Sequence, residues 1–318
     1  MMILTTFFQN PPILFFLLGV TASILKVDLT LPSAIAKFLA FYLLLCIGFQ
    51  GGVELNSAGL HYDTLLPLFA AIFAAMCIPL FTFVMARRLF SIEDAAAIAA
   101  TYGSVSAVTF ITGTNFLYSL GIPFGGHMVA ALALMESPAI MVGLFLAQSF
   151  GKAEKPSDFS ILRETLLNSS VFLILGSLVI GYISGPAGMV PLKPFISDIF
   201  KGMLTLFLFD MGMLATAKIG NVQQNKLHIV LFALLVTISS ALLGILSSYI
   251  LGFSFGNAFL FTILCASASY IAVPAAMRLA LPEANPSVYI PMALGITFPF
   301  NILIGFPLYF SLLNLFWR

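Results

Sequence analysis

Charge is what this sequence has least of. Only 8% of its 318 residues are Asp, Glu, Lys or Arg, against about 25% in an average soluble domain. With 61% hydrophobic residues and a mean hydropathy of +1.10, a soluble globule is excluded. Cysteine is sparse too. Cys46, Cys77 and Cys265 are odd in number, lie in apolar stretches and show no CxxC spacing, so neither disulfides nor zinc are expected. No Walker A loop and no dinucleotide glycine pattern occurs, which leaves ATP-driven pumping, redox chemistry and organic cofactors without support. There is no GxSxG-like serine and no pair of aspartates at a fixed helical spacing, so the chain reads as non-enzymatic. A net charge of +1 gives no nucleic-acid signal.

What is present is length without charge. The stretches 64–86, 95–135, 165–192, 227–277 and 284–317 carry no Asp, Glu, Lys or Arg. A spanning helix needs about 20 mostly apolar residues, so the lipid bilayer is the expected solvent. The start lacks the basic n-region of a secretory signal and reads as an uncleaved first span opening at Pro11-Pro12. The pattern predicts an all-α polytopic membrane protein with ten transmembrane helices at about 11–26, 33–52, 63–86, 92–117, 125–150, 163–184, 194–216, 227–251, 255–280 and 287–315. With this count, Lys26, Arg87, Arg88, Lys152, Lys155, Arg163, Lys218, Lys226 and Arg278 fall on one side, and Lys193 and Arg318 on the other. The positive-inside rule makes the richer side cytoplasmic and turns both termini outward.

The two halves answer each other. Shifted by 163 positions, FSIEDAAAIAATYGSVSAV (90–108) lies over FSFGNAFLFTILCASASYI (253–271). Asp94 then matches Asn257, and Ser104 and Ser106 match Ser267 and Ser269. Nearby, Pro138 aligns with Pro299, and Gly48 with Gly212. The reading is a first five-helix repeat at 1–152, a short cytoplasmic linker at 153–162 and a second repeat at 163–318. Five spans per half is odd, so the repeats are inverted, and sites are expected at helices broken in corresponding places. GSVSAVT (103–109) and SASYIAV (267–273) are those breaks, in spans 4 and 9, which are expected to cross. Their hydroxyls and freed N–H groups would favour an anion. The alternative is that small residues only let helices pack closely.

At these residues the chain resembles the sodium-dependent bicarbonate transporter family, the SbtA-type permeases, as a divergent, non-cyanobacterial-like member. The resemblance is carried by IGFQGGVELNSAG (47–59), YGSVSAVTF (102–110), MESPAIMVG (135–143), FDMGMLATAKIG (209–220) and ASASYIAVPAAMRLALPEANPSVYI (266–290). It implies a homotrimeric symporter of a bacterial inner membrane that moves bicarbonate inward with Na+ as coupling ion. The substrate would sit between the crossing helices at Gly103, Ser104, Ser106, Thr109, Ser267, Ser269 and Tyr270. Cyanobacterial members carry an aspartate where this chain has Tyr270, and more Ser and Gly where it has Ala107 and Val108. Their central loop is longer than GKAEKPSDFS (151–160), so a regulatory partner protein is not expected.

Three polar residues inside spans are the candidates for sodium coupling. Glu136 precedes Ser137-Pro138, where a kink would expose carbonyls beside the carboxylate, and it matches an acidic position of the family. Asp210 either contributes or pairs with Lys201 or a neighbouring helix. Asn301 either contributes or is a packing amide. An intramembrane charge costs about 2.5–3.5 kcal/mol on insertion scales, which makes a functional role the default reading. The alternatives to sodium-coupled bicarbonate uptake are a proton- or sodium-coupled carrier of another small anion, such as a short monocarboxylate, and an anion channel.

Overall fold

The computed structural model describes residues 9–27, 29, 31–59, 61–151, 169–220 and 226–317. Every regular element among them is helical. The expected linker at 153–162, with Lys152, Lys155 and Arg163, and the terminal Arg318 lie outside the described residues. In chain order the elements are α1 Pro11–Ile24, α2 Ser33–Ala58, α3 Tyr62–Ala86, α4 Ile92–Gly103, α5 Ala107–Ser119, α6 His127–Phe150, α7 Ser169–Lys193, α8 Phe200–Gly220, α9 Lys226–Ile250, α10 Phe255–Ala266, α11 Ala272–Ala280 and α12 Pro286–Phe316. Among the described residues, seven stretches are long and apolar enough to cross a bilayer; α4–α5 counts as one and Val171–Lys218 as another. The chain is therefore a multi-pass helical membrane protein.

Glycine and proline set where these helices start, turn and widen. α1 opens on Pro11-Pro12, where missing N–H groups cost nothing. α2 was expected to stop at residue 52 but runs on to Ala58. Gly51 and Gly52 do not end it because they are packing surfaces: a Cβ on Gly52 would fall onto the Leu178 carbonyl of α7. α7 turns at Gly185, whose φ of 56° and ψ of −164° suit glycine, with Pro186 following. Helical residues then continue through a wide turn at Pro194–Asp198 towards α8. Gln50 of α2 donates through Nε2 to the Ile196 carbonyl of that turn at 2.9 Å, and the Tyr42 hydroxyl donates to Phe195 O.

α12 departs from a plain α-helix. It has wide, π-type turns at Pro291–Thr297 and Asn301–Gly305. Pro299 and Pro307 cannot donate to the carbonyls of Gly295 and Leu303, and both carbonyls lie inside the wide turns.

Two helix pairs are seamed by glycine. Along α1 and α8, a Cβ on Gly19 would strike Phe209 O, and one on Gly212 would strike Phe16 O. Along α2 and α7, a Cβ on Gly48 would meet Ile174 O at 2.8 Å, and one on Gly181 would strike Phe49 O. Such close approach is the membrane route to helix association, because lipid supplies no hydrophobic drive between helices. The outer faces carry Phe69, Phe73, Phe145, Phe172 and Ile183, each more than 60% exposed, as hydrocarbon contact requires. In contrast, α4 is buried along Ala95–Gly103.

Gly212→Ala and Gly48→Ala are each expected to destabilise the purified protein by the roughly 1–3 kcal/mol typical of overpacking, read as a lower thermal midpoint. Gly176→Ala, with nothing within 4 Å of the new methyl, is expected to leave the midpoint unchanged or raise it. Equal loss in all three would show that the seams are not what the glycines serve.

Candidate functional site

α4 and α10 both stop in the middle of the buried core. Each gives way to an extended serine of nearly the same conformation: Ser104 has φ −84°, ψ 177°, and Ser267 has φ −86°, ψ 171°. The chain is helical again from Ala107 after the first break and from Ala272 after the second. Ser106 caps α5, its Oγ accepting from Thr109 N at 3.2 Å. Ser269 Oγ accepts from Val273 N of α11 at 3.4 Å.

The two interruptions satisfy one another. Ser106 N donates to Ser267 Oγ at 3.0 Å, and Ser267 Oγ donates to Leu264 O at 3.0 Å. Ser269 N donates to Thr101 O at 2.9 Å. Asn301 reaches in from the wide turn of α12. Its Nδ2 donates to Ala266 O at 2.8 Å, and its Oδ1 accepts from the Tyr309 hydroxyl at 2.8 Å. Below the first break, the hydroxyls of Tyr102 and Thr297 lie 2.8 Å apart, and Thr297 is 3.2 Å from Thr237 of α9.

A small cavity lies where the two restarted helices meet. Ser106, Ala107, Ser269, Tyr270 and Ala272 form one wall, Glu136 of α6 reaches it, and Leu43, Leu44, Ile174 and Phe207 close it from α2, α7 and α8. Measured as room for the centres of water molecules it holds about 40 Å³, where one water needs about 10–15 Å³. Its scale is that of a solute of a few heavy atoms. The Tyr270 hydroxyl is 3.9 Å from Met211 Sδ, and its ring meets Phe298 edge-on at 5.7 Å. Glu136 is 7% exposed and has no hydrogen bond or ion pair with a described residue.

The expected site residues divide on this geometry. Ser106, Ser269, Tyr270 and Glu136 line the cavity. Ser267 supports it by receiving Ser106 N. Gly103 faces elsewhere: a Cβ there would collide with Pro79 of α3 and come within 3.1 Å of the Ala139 methyl. Ser104 and Thr109 are buried beside the break, and their hydroxyl oxygens, like that of Thr101, have no partner among the described residues. Asn301 props the break without lining the cavity. Asp210 lies in a separate cavity with Lys26 and Lys37. It makes no pair with Lys201, which lines another pocket beside Asn10 and Asn115; nine residues apart on one helix, the two are about 13 Å apart in rise. Sequence reasoning missed the apolar wall of Leu43, Leu44, Ile174 and Phe207, because leucine and phenylalanine inside a span carry no positional signal. It also missed Thr297 and Tyr309. A polar group four or eight residues from Asn301 on a buried helix was the available hint.

Paired broken helices enclosing a small, mixed polar and apolar cavity inside a multi-pass membrane protein define a membrane transporter. The model of the Na+-dependent bicarbonate transporter superfamily matches residues 11–314, and the chain belongs to that superfamily. A search of curated proteins gave no match. Membership in a transporter family also speaks against an enzyme.

Asn301→Leu, which keeps the volume but strands Ala266 O and the Tyr309 hydroxyl, is expected to destabilise the protein by about 1–3 kcal/mol for each buried group left unpaired. Tyr309→Phe, which frees only Asn301 Oδ1, is expected to cost less. Thermal unfolding in detergent checks both; a larger loss in Tyr309→Phe would contradict the propping role.

Proposed function

We propose that this chain is a secondary active transporter that takes up bicarbonate with Na+ by alternating access, binding the anion where α5 and α11 begin. The observation that carries the reading is the reciprocal bonding of the two breaks, which brings two helix N-termini to one small cavity. Each N-terminus carries roughly half a positive charge with N–H groups aimed outward. The Ser106 and Ser269 hydroxyls and the Tyr270 phenol add donors, matching an anion of four heavy atoms with three oxygens.

Glu136 gives coupling a physical basis. A carboxylate on the wall of an anion cavity repels the substrate in its charged form unless a cation lies between them, so each ion improves the other's binding. The unpartnered hydroxyl oxygens of Thr101, Ser104 and Thr109 are hard donors suited to such a cation. The second reading, proton coupling with another small anion such as a short monocarboxylate, is favoured by the same residue, since a lone buried carboxyl can carry a proton.

The proposed frame is two inverted five-helix repeats, ten spans in all. Three observations support it. The stretch Val171–Lys218 has 48 residues, about 72 Å if straight, more than twice a hydrocarbon core of about 30 Å. The pair α1–α8 is seamed by Gly19 and Gly212 as α7–α2 is by Gly181 and Gly48, which the repeat would interchange. Asp94 Oδ1 accepts from Asn285 N at 2.7 Å, and its counterpart Asn257 accepts through Oδ1 from Gly125 N at 2.8 Å. Each residue sits in the first turn of a broken helix and pins a loop of the opposite half. In this scheme α3–α6 and α9–α12 carry the site past α1, α2, α7 and α8, whose side of the cavity is apolar and offers nothing to hold the anion back. A homotrimer in a bacterial inner membrane follows from the likeness described above, and termini on the outer side follow from the positive-inside count.

Labelled bicarbonate uptake into proteoliposomes is expected to saturate and to require Na+, with potassium failing to replace it. Ser106→Ala and Ser269→Ala are each expected to cut uptake about tenfold, the factor of one lost hydrogen bond to a charged group, in folded protein. Glu136→Gln is expected to abolish the Na+ dependence. Uptake in Glu136→Gln that follows neither ion, beside wild-type uptake that follows pH, would replace the sodium reading with the proton one.

A further inference from the structure

Asp210 is only 4% exposed, and its Oδ2 has no partner among the described residues. It opens onto a cavity of about 580 Å³, on the same measure as above, between the end of α1, the start of α2 and the second half of α8. Lys26 and Lys37 line the same cavity, yet neither forms an ion pair with Asp210. Lys26 sits there with φ 57°, a backbone region that a lysine occupies at a cost and that recurs at ligand clamps. Apart from Ser23 and Ser33 the rest of the wall is apolar, with Val27, Leu31 and Met213 among its residues. An anion alone would meet the carboxylate, and a cation alone would meet two ammonium groups. A ligand carrying both charges satisfies all three.

The neighbouring surface says what else such a ligand has. Ile24, Leu25 and Phe38, the chain neighbours of the lining residues Ser23, Lys26 and Lys37, are 65%, 68% and 54% exposed, an apolar rim next to a charged pocket. Lysines at helix ends place their ammonium groups at headgroup depth. We propose that this cavity binds a phospholipid with a primary-amine headgroup: its phosphate lies between Lys26 and Lys37, its ammonium donates to Asp210, and its acyl chains run along the rim. A quaternary amine cannot make the donation, because it has no N–H. The site is distinct from the crossing cavity and does not depend on the substrate assignment.

Native mass spectrometry of the detergent-purified protein, given equimolar phosphatidylethanolamine, phosphatidylcholine and phosphatidylglycerol, tests this directly. Phosphatidylethanolamine is expected to be retained about tenfold over phosphatidylcholine, the factor of one charge-assisted hydrogen bond. Asp210→Asn is expected to erase that preference while still binding lipid phosphate. Lys26→Gln with Lys37→Gln is expected to lose all three lipids, and remains informative if Asp210→Asn fails to fold. Equal retention of the amine and choline lipids by the unaltered protein overturns the proposal, as does a preference that survives Asp210→Asn. Displacement by free phosphoethanolamine at matched concentration would show that acyl chains contribute nothing, and overturns the lipid assignment.

Discussion

Two interrupted helices in a water-poor core must satisfy their broken backbones, and here each break is the other's partner. An unpaired peptide group at membrane depth costs several kcal/mol. Ser106 N finds the Ser267 hydroxyl, Ser269 N finds the Thr101 carbonyl, and Asn301 takes the last carbonyl of α10. Neither interruption would be tolerable alone. That mutual dependence holds the starts of α5 and α11 together, and their adjacency makes the cavity. The donors left over after this pairing are the ones that a solute in the cavity can use.

The surrounding helices follow from the same need. Two breaks joined by hydrogen bonds of about 3 Å must be held by walls that do not give, and the glycine seams provide them. At Gly19, Gly212, Gly48, Gly52 and Gly181 the neighbouring backbone occupies the place of a side chain. Packing this close leaves little room for either pair to slide within itself. The pairs α1–α8 and α2–α7 therefore behave as stiff units, while the side they present to the cavity, through Leu43, Leu44, Ile174 and Phe207, offers no hydrogen bond. A rigid, featureless wall against a polar, bonded core is what relative movement between them would require.

The breaks were legible in the sequence because serine pairs at matched positions stand out in apolar runs. Asp94 and Asn257 were legible as a match, though their bonds to Asn285 and Gly125 were not, since a first-turn carboxylate or amide reads equally well as a helix cap. The expected end of the second span at residue 52 fell short, since α2 packs on α7 through Gly52 and continues to Ala58. The wide turns of α12 left no periodic trace; only Pro299 and Pro307 hinted at them. For Asp210 the cost of a buried charge raised the question of function, but a hydropathy pattern cannot say which of two cavities a carboxyl enters. The apolar wall was the least visible part, because its residue types are those of every lipid-facing and core position alike.

The pairing of the breaks is reciprocal but not identical, and the difference bears on direction. Ser106 N meets a hydroxyl, whereas its counterpart Ser269 N meets a carbonyl. The Ser267 hydroxyl is therefore engaged, while the matching Ser104 hydroxyl has no partner among the described residues. Under the proposed inverted repeat, the inward- and outward-facing states are related by exchanging the conformations of the halves. The exchange would engage Ser104 and release Ser267. A buried hydroxyl without a partner costs about 1–3 kcal/mol, and the cost is of the same kind in both states. The two ends of such a cycle are then kept close in energy by the symmetry of the serines, and small asymmetries elsewhere, such as Asp94 against Asn257, are enough to set which end the empty protein prefers.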